Sequence, residues 1–249
     1  MLKTILDCTA FLTLIPIRTE GELTETEMGR FPACYPVVGL ILGFTYFILA
    51  TLMGWAGLPV ATMAVLLVIS QAILTRGFHL DGLADCADAL LSHKSLERKL
   101  EILKDSHQGT FGVLAIVTSF AVKATVLASL GAGGAIPPHL LLLFPIWGRL
   151  SASVVATLSK PLGSGGGLGY AMVAHSGSSE LILAGLFSLI MSLAFGLRSF
   201  MCALLAIAVG YLLTKVWKAA LGGVNGDLLG ATVELGEMAT LLLCAIIYI

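Results

Sequence analysis

The amino-acid sequence predicts an all-α membrane protein, a polytopic transmembrane helical bundle of about seven spans. Three observations support this fold class. Of the 249 residues, 57% are hydrophobic and only 12% are charged. The mean hydropathy is +0.98, which is typical of polytopic membrane proteins and not of soluble domains. Finally, apolar stretches of about 17–25 residues, the length that crosses a bilayer, recur along the chain.

The first predicted element is an interfacial N-terminal helix within residues 1–17. Lys3 and Asp7 lie there among apolar residues, and Pro16 ends a stretch that is too short and too broken to cross the membrane. An amphipathic segment of this kind lies along the membrane surface. Seven apolar stretches follow as predicted spans, near 32–54, 58–75, 110–131, 138–158, 180–197, 199–217 and 229–249.

One long polar segment, residues 76–109, separates the second predicted span from the third. Within it, Leu96, Leu100 and Leu103 recur at helical spacing and mark one apolar face. We therefore expect a cytoplasmic amphipathic helix in this segment, in addition to the seven spans. The whole chain, 1–249, is interpreted as a single integral membrane domain.

The basic residues predict the orientation of the bundle. If the N-terminus is cytoplasmic, eleven of the fourteen Lys and Arg residues fall in cytoplasmic segments, namely Lys3, Arg18, Arg30, Arg76, Lys94, Arg98, Lys99, Lys104, Lys160, Lys215 and Lys218. Because cytoplasmic loops carry an excess of Lys and Arg, we expect a multi-pass protein of the cell inner membrane with a cytoplasmic active face. No basic stretch resembles a nucleic-acid footprint, so nucleic acid is not an expected partner.

The first acidic segment combines one histidine, His79, with three aspartates within ten residues. Asp81, Asp85 and Asp88 are four and then three residues apart, so a helix places all three on one face. Stacked carboxylates repel each other, and Mg²⁺ compensates such a group because it prefers oxygen ligands and bridges carboxylates to phosphate. The three aspartates are therefore predicted metal ligands. The alternative is a solvated amphipathic helix whose polar face is acidic.

A second acidic segment follows the glycine-rich break before the last span. Asp227 and Glu234 are seven residues apart, two turns along one helix face, and both are predicted metal ligands. Asn225 adds a neutral oxygen and is a candidate contact to metal or substrate. The alternative is a helix start that carries acids because the macrodipole favours them there. That alternative suits Asp227, but Glu234 and Glu237 lie deeper in an apolar span.

Several groups near the acidic segments are suited to contact phosphates. Arg76 stands where the second span leaves the bilayer, and Lys104 and Ser106 follow the amphipathic helix. Two acidic clusters, a metal ion and nearby cations together favour a polyphosphate substrate, whose charge Mg²⁺ neutralises during phosphoryl transfer. His79 and Asp81 are the candidate catalytic residues, since either can accept the proton of an attacking hydroxyl. The glycine-rich segment 163–169 either cradles a phosphate or is a loose connection.

Two alternatives from other classes remain at this point. Phosphotransferases of the CDP-alcohol type need an Asp-Gly pair followed by Ala-Arg, whereas Asp81-Gly82 is followed by Leu83-Ala84-Asp85. An ion-coupled transporter needs carboxylates near the middle of the membrane and often a two-fold repeat. Both acidic segments lie near one predicted face, and no internal repeat is evident.

The run Arg-Gly-Phe-His-Leu-Asp-Gly-Leu-Ala-Asp-Cys-Ala-Asp at 76–88 resembles the signature of the cobalamin synthase family, the adenosylcobinamide-GDP ribazoletransferases. Further segments resemble the family in the same order, at 10–16, 31–40, 104–112 and 226–231 with Glu234. The resemblance covers almost the whole chain. One segment departs from the family pattern, because 159–164 lacks the aromatic and arginine character expected there, although Arg149 is kept.

The resemblance implies a Mg²⁺-dependent transferase of substituted phosphate groups. Its donor substrate would be adenosylcobinamide-GDP, and its acceptor would be either α-ribazole or α-ribazole 5′-phosphate. Its products would be GMP together with either adenosylcobalamin or adenosylcobalamin 5′-phosphate. It implies that the metal and diphosphate are bound by Asp81, Asp85, Asp88 and Asp227, with Glu234 as a further candidate. His79 would be the base, and Arg76 and Lys104 would contact phosphate. Membrane lipid is a further expected partner, and a homo-oligomer is compatible with the sequence.

Overall fold

A computed structural model describes residues 1–19, 21, 23–105, 107–163 and 167–248. Across these residues the chain forms twelve α-helices and no strand beyond one isolated bridge between Pro161 and Val224. The helices are α1 (Leu2–Leu12), α2 (Glu25–Met28), α3 (Phe31–Trp55), α4 (Val60–Leu74), α5 (Phe78–Leu91), α6 (Leu96–Ile102), α7 (Thr110–Leu130), α8 (Pro138–Leu158), α9 (Leu168–Ala174), α10 (Ser178–Ala194), α11 (Leu197–Leu221) and α12 (Gly226–Tyr248).

The chain is a multi-pass membrane protein. Five helices are long and apolar enough to cross a bilayer, namely α3, α7, α8, α11 and α12. Two bent pairs each add one span: α4 and α5 meet at 90°, and α9 and α10 meet at 95°. We assign the crossing to α4 and α10, so that α5 and α9 lie across the end of the bundle. The predicted helical bundle is confirmed, and α1 and α6 stand where the sequence predicts the N-terminal and amphipathic helices.

Helix α8 is the centre of the bundle. Within its most apolar window 89% of the residues are buried, compared with 22% for α7. Its neighbours approach it closely because glycines line the contacts. A Cβ added at Gly39 or Gly43 of α3 would lie 2.6 Å from Pro145 O or 2.5 Å from Leu142 O. Small residues are typical of helix contacts in membranes, where close backbone approach replaces the hydrophobic driving force.

The two ends of the bundle differ in composition. At one end, the His139 ring stacks on Phe195 and contacts Tyr248, and the Arg198 guanidinium lies over the same tyrosine. The opposite end, here called the site end, consists of the described parts of connections 13–30, 75–109, 159–177 and 222–226. Backbone hydrogen bonds hold these connections in place, from Leu14 N to Leu74 O at the end of α4 (2.7 Å) and from Val224 N to Lys160 O (2.9 Å).

The polar segment 76–109 contains two helices, α5 with the aspartates and the amphipathic α6. After α4 the chain turns through Arg76 and Gly77, both of which have positive φ angles of 55° and 70°, and then begins α5. The amphipathic helix predicted further on is limited to α6, seven residues long, whose N-terminus is capped by the Ser95 side chain. It ends at Ile102, so Lys104 lies beyond it in the connection to α7.

Candidate active site

Helix α5 crosses the first turn of α12 in direct backbone contact. Gly82 of α5 lies against the Asp227 carbonyl, where a Cβ would clash. On the α12 side, a Cβ added at Gly230 would lie 3.0 Å from Phe78 O and 3.1 Å from His79 Cα. These two glycines allow the helices to touch, which brings Asp81 to the same side of the crossing as Asp227. The two acidic segments of the sequence therefore meet at the site end.

Gln108, from the connection between α6 and α7, joins two of the aspartates. Its amide nitrogen donates to Asp85 Oδ1 at 3.1 Å and to Asp81 Oδ1 at 3.4 Å. The opposite carboxylate, Asp227, accepts a hydrogen bond from Asn225 Nδ2 at 2.8 Å. Gln108 was not among the predicted site residues, although it lies inside segment 104–112, which carries part of the family resemblance.

The charges of these aspartates act on one another. Burial, followed by the negative charges of Asp81, Asp227 and Asp88, raises the pKa of the Asp85 carboxyl to about 6, and only the hydrogen bond from Gln108 opposes this shift. Like charges that share a site disfavour ionisation, and a bound cation reverses this effect. The arrangement is therefore one that a cation stabilises.

Asp88 has a different environment from the other aspartates. Its two carboxylate oxygens accept hydrogen bonds from the backbone N–H groups of Gly109 (2.7 Å) and Gly112 (2.9 Å). These groups lie at the N-terminus of α7, where backbone donors lack partners within the helix and negative charge is favourable. Asp88 therefore fastens α7 to α5. Its predicted role as a metal ligand stays a prediction.

Magnesium suits the donor set but needs further ligands. Among the described residues, no group of three or more His, Cys, Asp or Glu side chains is placed to hold a metal ion on its own. Mg²⁺ commonly binds through one or two carboxylates, keeps several waters and takes its remaining ligands from substrate phosphates. Asp81, Asp85 and Asp227 offer oxygen ligands of this kind, so they fit a metal ion that arrives with a diphosphate.

Glu234 does not join the aspartates. It lies seven residues beyond Asp227, which is about 10 Å deeper along the helix at 1.5 Å per residue, and it is 2% exposed. Its carboxylate pairs with Lys123 Nζ of α7 at 2.7 Å and accepts a hydrogen bond from Ser119. The structure thus places this predicted metal ligand in a buried ion pair, apart from the site end.

Glu237 extends that pair into a buried network across four helices. It binds Lys123 Nζ at 2.6 Å and Arg149 Nη1 at 3.2 Å, and it accepts a hydrogen bond from Gln71. We call Lys123, Arg149, Glu234 and Glu237 the buried ion network. It contains two cations and two anions, so its formal charge is zero. Buried charges are tolerated when they are paired in this way.

A cavity of about 320 Å³ connects the site end with this network. Asp81 and Asp227 line it where it reaches the site end, and His79 and Arg149 line it farther inside. Most of its wall is apolar, with the side chains of Phe11, Leu12, Tyr35, Phe78, Ala152, Leu168, Met172, Leu229 and Val233. The cavity therefore has acidic side chains at its mouth and a mostly apolar wall farther inside.

Two polar side chains in this cavity have unpaired atoms. His79 is 5% exposed and Arg149 is fully buried. Within the described part of the chain, His79 Nδ1 and Arg149 Nε and Nη2 have no hydrogen-bond partner. His79 is buried because the contact with Gly230 draws the first turn of α5 onto α12.

The remaining predicted contacts lie around the cavity rather than in it. Arg76 and Lys104 are exposed at the site end, and neither lines the cavity. Asn225 caps α12, since its Oδ1 accepts a hydrogen bond from Leu228 N at 3.1 Å. Ser106 and residues 164–166 of the glycine-rich segment lie outside the described residues.

The fold and this site define a membrane-embedded enzyme, and its relatives place it among the transferases. The chain belongs to the cobalamin-5-phosphate synthase family, whose family model matches residues 4–245. It is thus a transferase of cobalamin biosynthesis, as the resemblance of the motifs implied.

Individual relatives are similar to this chain in sequence over nearly its whole length. The chain is 34% identical to the adenosylcobinamide-GDP ribazoletransferase of Clostridium acetobutylicum, over 91% of this chain and 89% of the relative. Proteins of the same name are 36% identical in Syntrophobacter fumaroxidans (96% of each chain) and 37% identical in Pseudomonas paraeruginosa (98% of each chain). No solved structure matches the chain.

Proposed function

We propose that the protein transfers the adenosylcobinamide phosphate group from adenosylcobinamide-GDP to α-ribazole or its 5′-phosphate, with Mg²⁺ as cofactor. The products are GMP and adenosylcobalamin or its 5′-phosphate. The observation that carries this proposal is the crossing of α5 and α12, which sets Asp81 and Asp85 beside Asp227 at the mouth of an apolar cavity. Relatives that match nearly the whole chain bear the name of this reaction.

The reaction is a substitution at phosphorus. A secondary ribose hydroxyl of the acceptor, which is free in both α-ribazole and its 5′-phosphate, attacks the phosphorus attached to cobinamide. The bond from that phosphorus to the bridging oxygen breaks, and GMP leaves with the bonding electrons. Asp81, Asp85 and Asp227 would hold Mg²⁺. When bound, the ion would neutralise the diphosphate and stabilise the charge that develops on the leaving GMP.

The proton of the attacking hydroxyl needs an acceptor in the site. His79 is our first candidate, because its side chain lines the cavity together with Asp81 and its Nδ1 has no hydrogen-bond partner among the described residues. Asp81 is the second, since it is exposed at the mouth. A group that accepts this proton must reach the hydroxyl directly or through one water. Arg76 and Lys104 would contact the phosphates or the ribose of the donor from outside the cavity.

We further propose that the site end faces the cytoplasm and that the membrane is the cell inner membrane. Most Lys and Arg residues lie in connections at this end, which supports the orientation. Lipid would cover exposed apolar side chains along the spans, such as Ile190 (65% exposed) and Leu212 (60%). Self-association into a homo-oligomer stays a prediction.

Transfer by the purified protein in lipid vesicles tests the proposed reaction. We expect GMP and a cobalamin product with both substrates and Mg²⁺, and neither after chelation of the metal. Asp81→Asn and Asp227→Asn should each lower the rate by about a hundredfold or more, because each removes negative charge from the metal site. Glu101→Gln is the control, since Glu101 is an exposed carboxylate of α6 that pairs with Arg98. Normal rates in both aspartate variants would contradict the metal assignment.

A further inference from the structure

We infer that Gln108 and Asn225 are positioning residues of the metal site: their amides hold the carboxylates assigned to Mg²⁺ and leave one oxygen of each for the ion. This arrangement selects a small cation that takes a single oxygen from each carboxylate, such as Mg²⁺ or Mn²⁺, over Ca²⁺. The inference rests on the proposed function and adds to it what determines the choice of metal.

Gln108 bridges two carboxylates of α5. Its Nε2 atom donates to Asp85 Oδ1 at 3.1 Å and to Asp81 Oδ1 at 3.4 Å. An amide nitrogen carries two hydrogens, so it serves both oxygens at once. The two aspartates are four residues apart on one helix face, and a donor that contacts both holds their carboxylates in a fixed relation. Gln108 therefore positions this pair from a connection outside α5.

Asn225 holds the third carboxylate, at the start of α12. Its Nδ2 atom donates to Asp227 Oδ2 at 2.8 Å, and its Oδ1 atom accepts a hydrogen bond from Leu228 N at 3.1 Å. The second hydrogen bond determines which end of the amide faces the carboxylate, because only the nitrogen remains for Asp227. Since the amide oxygen already caps the helix, Asn225 acts on a metal ion through Asp227 and not by direct contact.

One oxygen of each carboxylate is left without such a donor. The two amides contact Oδ1 of Asp81, Oδ1 of Asp85 and Oδ2 of Asp227. In the part of the chain that the structure describes, no other side chain donates to any of the three carboxylates. The remaining oxygens are therefore the ones offered to an ion, and each carboxylate contributes a single oxygen ligand.

Amides hold these carboxylates without neutralising them. A Lys or Arg side chain in either position would form a charge-assisted hydrogen bond and would compete with the metal ion for the negative charge. An amide donates hydrogen bonds but carries no net charge, so the charge of the aspartates remains available. Residues that orient metal ligands in this way typically change metal affinity by about 10–100-fold when they are substituted.

Single-oxygen contacts favour Mg²⁺ over Ca²⁺. Mg²⁺ requires near-ideal octahedral geometry at about 2.0–2.1 Å, whereas Ca²⁺ takes about 6–8 ligands at longer distances and accepts both oxygens of one carboxylate. Without the amide donor, a carboxylate is free to turn and to offer both of its oxygens. The loss of either amide should therefore weaken the binding of the smaller ion and reduce the discrimination against Ca²⁺.

Equilibrium dialysis of Mn²⁺ tests this inference without turnover. The purified protein, in nanodiscs of neutral phosphatidylcholine, is dialysed against Mn²⁺ and GDP, which supplies a diphosphate, and Mg²⁺ or Ca²⁺ is added to displace the bound Mn²⁺. Gln108→Met removes the amide at nearly constant side-chain length. It should raise the Kd for Mn²⁺ about tenfold or more and lower the ratio of the Ca²⁺ and Mg²⁺ concentrations that displace half of the Mn²⁺.

The control for this variant is Thr110→Val. Thr110 is a neutral, exposed residue two positions beyond Gln108, and its substitution should change neither the Kd for Mn²⁺ nor the displacement ratio.

Variants of Asn225 separate its action on the metal site from its role as a helix cap. Asn225→Ser keeps a side-chain oxygen that caps α12 but removes the amide nitrogen, whereas Asn225→Ala removes both. The two variants should raise the Kd for Mn²⁺ to a similar degree, although Asn225→Ala should lower the unfolding temperature more. A Kd that rises only in Asn225→Ala would show that capping alone matters, and would overturn the inference for this residue.

Two further variants distinguish this inference from the proposed function. Asp81→Asn and Asp227→Asn report on the metal assignment, and both should lose Mn²⁺ binding. If they do while Gln108→Met and Asn225→Ser bind Mn²⁺ as the unsubstituted protein does, the metal assignment stands and the inference is overturned. Weaker Mn²⁺ binding and a lower displacement ratio in both amide variants support the inference even if transfer fails. Absence of Mn²⁺ binding to the unsubstituted protein overturns it.

Discussion

Asp88 has a structural role, although the sequence groups it with the aspartates that are predicted to bind metal. The spacing of the three aspartates predicts one acidic helix face, and the structure shows that face. Both carboxylate oxygens of Asp88, however, accept hydrogen bonds from the backbone N–H groups of Gly109 and Gly112. Hydrogen bonds to a helix N-terminus cannot be foreseen from spacing, because the partners come from a connection more than twenty residues away. Gln108 escaped prediction for the same reason.

Substitution of Asp88 should therefore affect stability more than metal use. Asp88→Ala should cost about 1–2 kcal/mol, the value of a lost helix cap, and Asp88→Asn less, since one amide oxygen still accepts. The Mg²⁺ concentration for half-maximal rate should stay unchanged in Asp88→Asn and rise in Asp85→Asn. Thermal unfolding and metal titration of the rate measure these two effects. A strong shift of the metal requirement in Asp88→Asn would restore this residue to the metal site.

At the scale of helices, two glycines decide where the site forms. Gly82 and Gly230 let α5 lie on α12, and without this contact Asp81 and Asp227 would belong to separate parts of the molecule. Hydropathy predicts the seven spans because it reports burial in lipid. It carries no information about direction, so the right-angle bends before α5 and after α9 were not predicted from the sequence.

A methyl group at this crossing should separate the helices. Gly82→Ala should destabilise the protein by about 1–3 kcal/mol, as overpacking does, and should lower transfer more strongly than Gly230→Ala, whose Cβ has slightly more room. Gly185→Ala in α10 is the control, because its Cβ meets nothing within 4 Å. Rates and unfolding temperatures of the three variants give the comparison. Equal effects at Gly82 and Gly185 would show that the crossing is not the cause.

Across the whole molecule, the buried ion network ties α7, α8 and α12 together beneath the site. The sequence identified Glu234 and Glu237 as carboxylates that lie too deep to decorate a helix start. It could not identify their partners, because Lys123 and Arg149 come from other spans and pairing between distant helices leaves no local pattern. Since both carboxylates are neutralised, they do not favour the alternative of an ion-coupled transporter.

Substitution of one charged residue of the buried ion network should destabilise the folded protein. Lys123→Met leaves two carboxylates with a single arginine, and the loss of one partner from a buried pair typically costs about 3–5 kcal/mol. Lys123→Met combined with Glu234→Gln removes one charge of each sign and should recover part of this loss. Unfolding in detergent measures both variants. A double variant that is as unstable as the single one would show that charge balance is not what the network provides.

The orientation of the bundle is the prediction that concerns the molecule as a whole. All five native cysteines are buried, so a membrane-impermeant maleimide should give little background. Glu101→Cys places an exposed thiol at the site end, and Ala135→Cys places one in the connection before α8 at the opposite end. Because the positive charges favour a cytoplasmic site end, Ala135→Cys should react in cells whose inner membrane is intact, and Glu101→Cys only after that membrane is permeabilised. The reverse pattern would place the aspartates outside the cytoplasm, away from a nucleotide-linked donor.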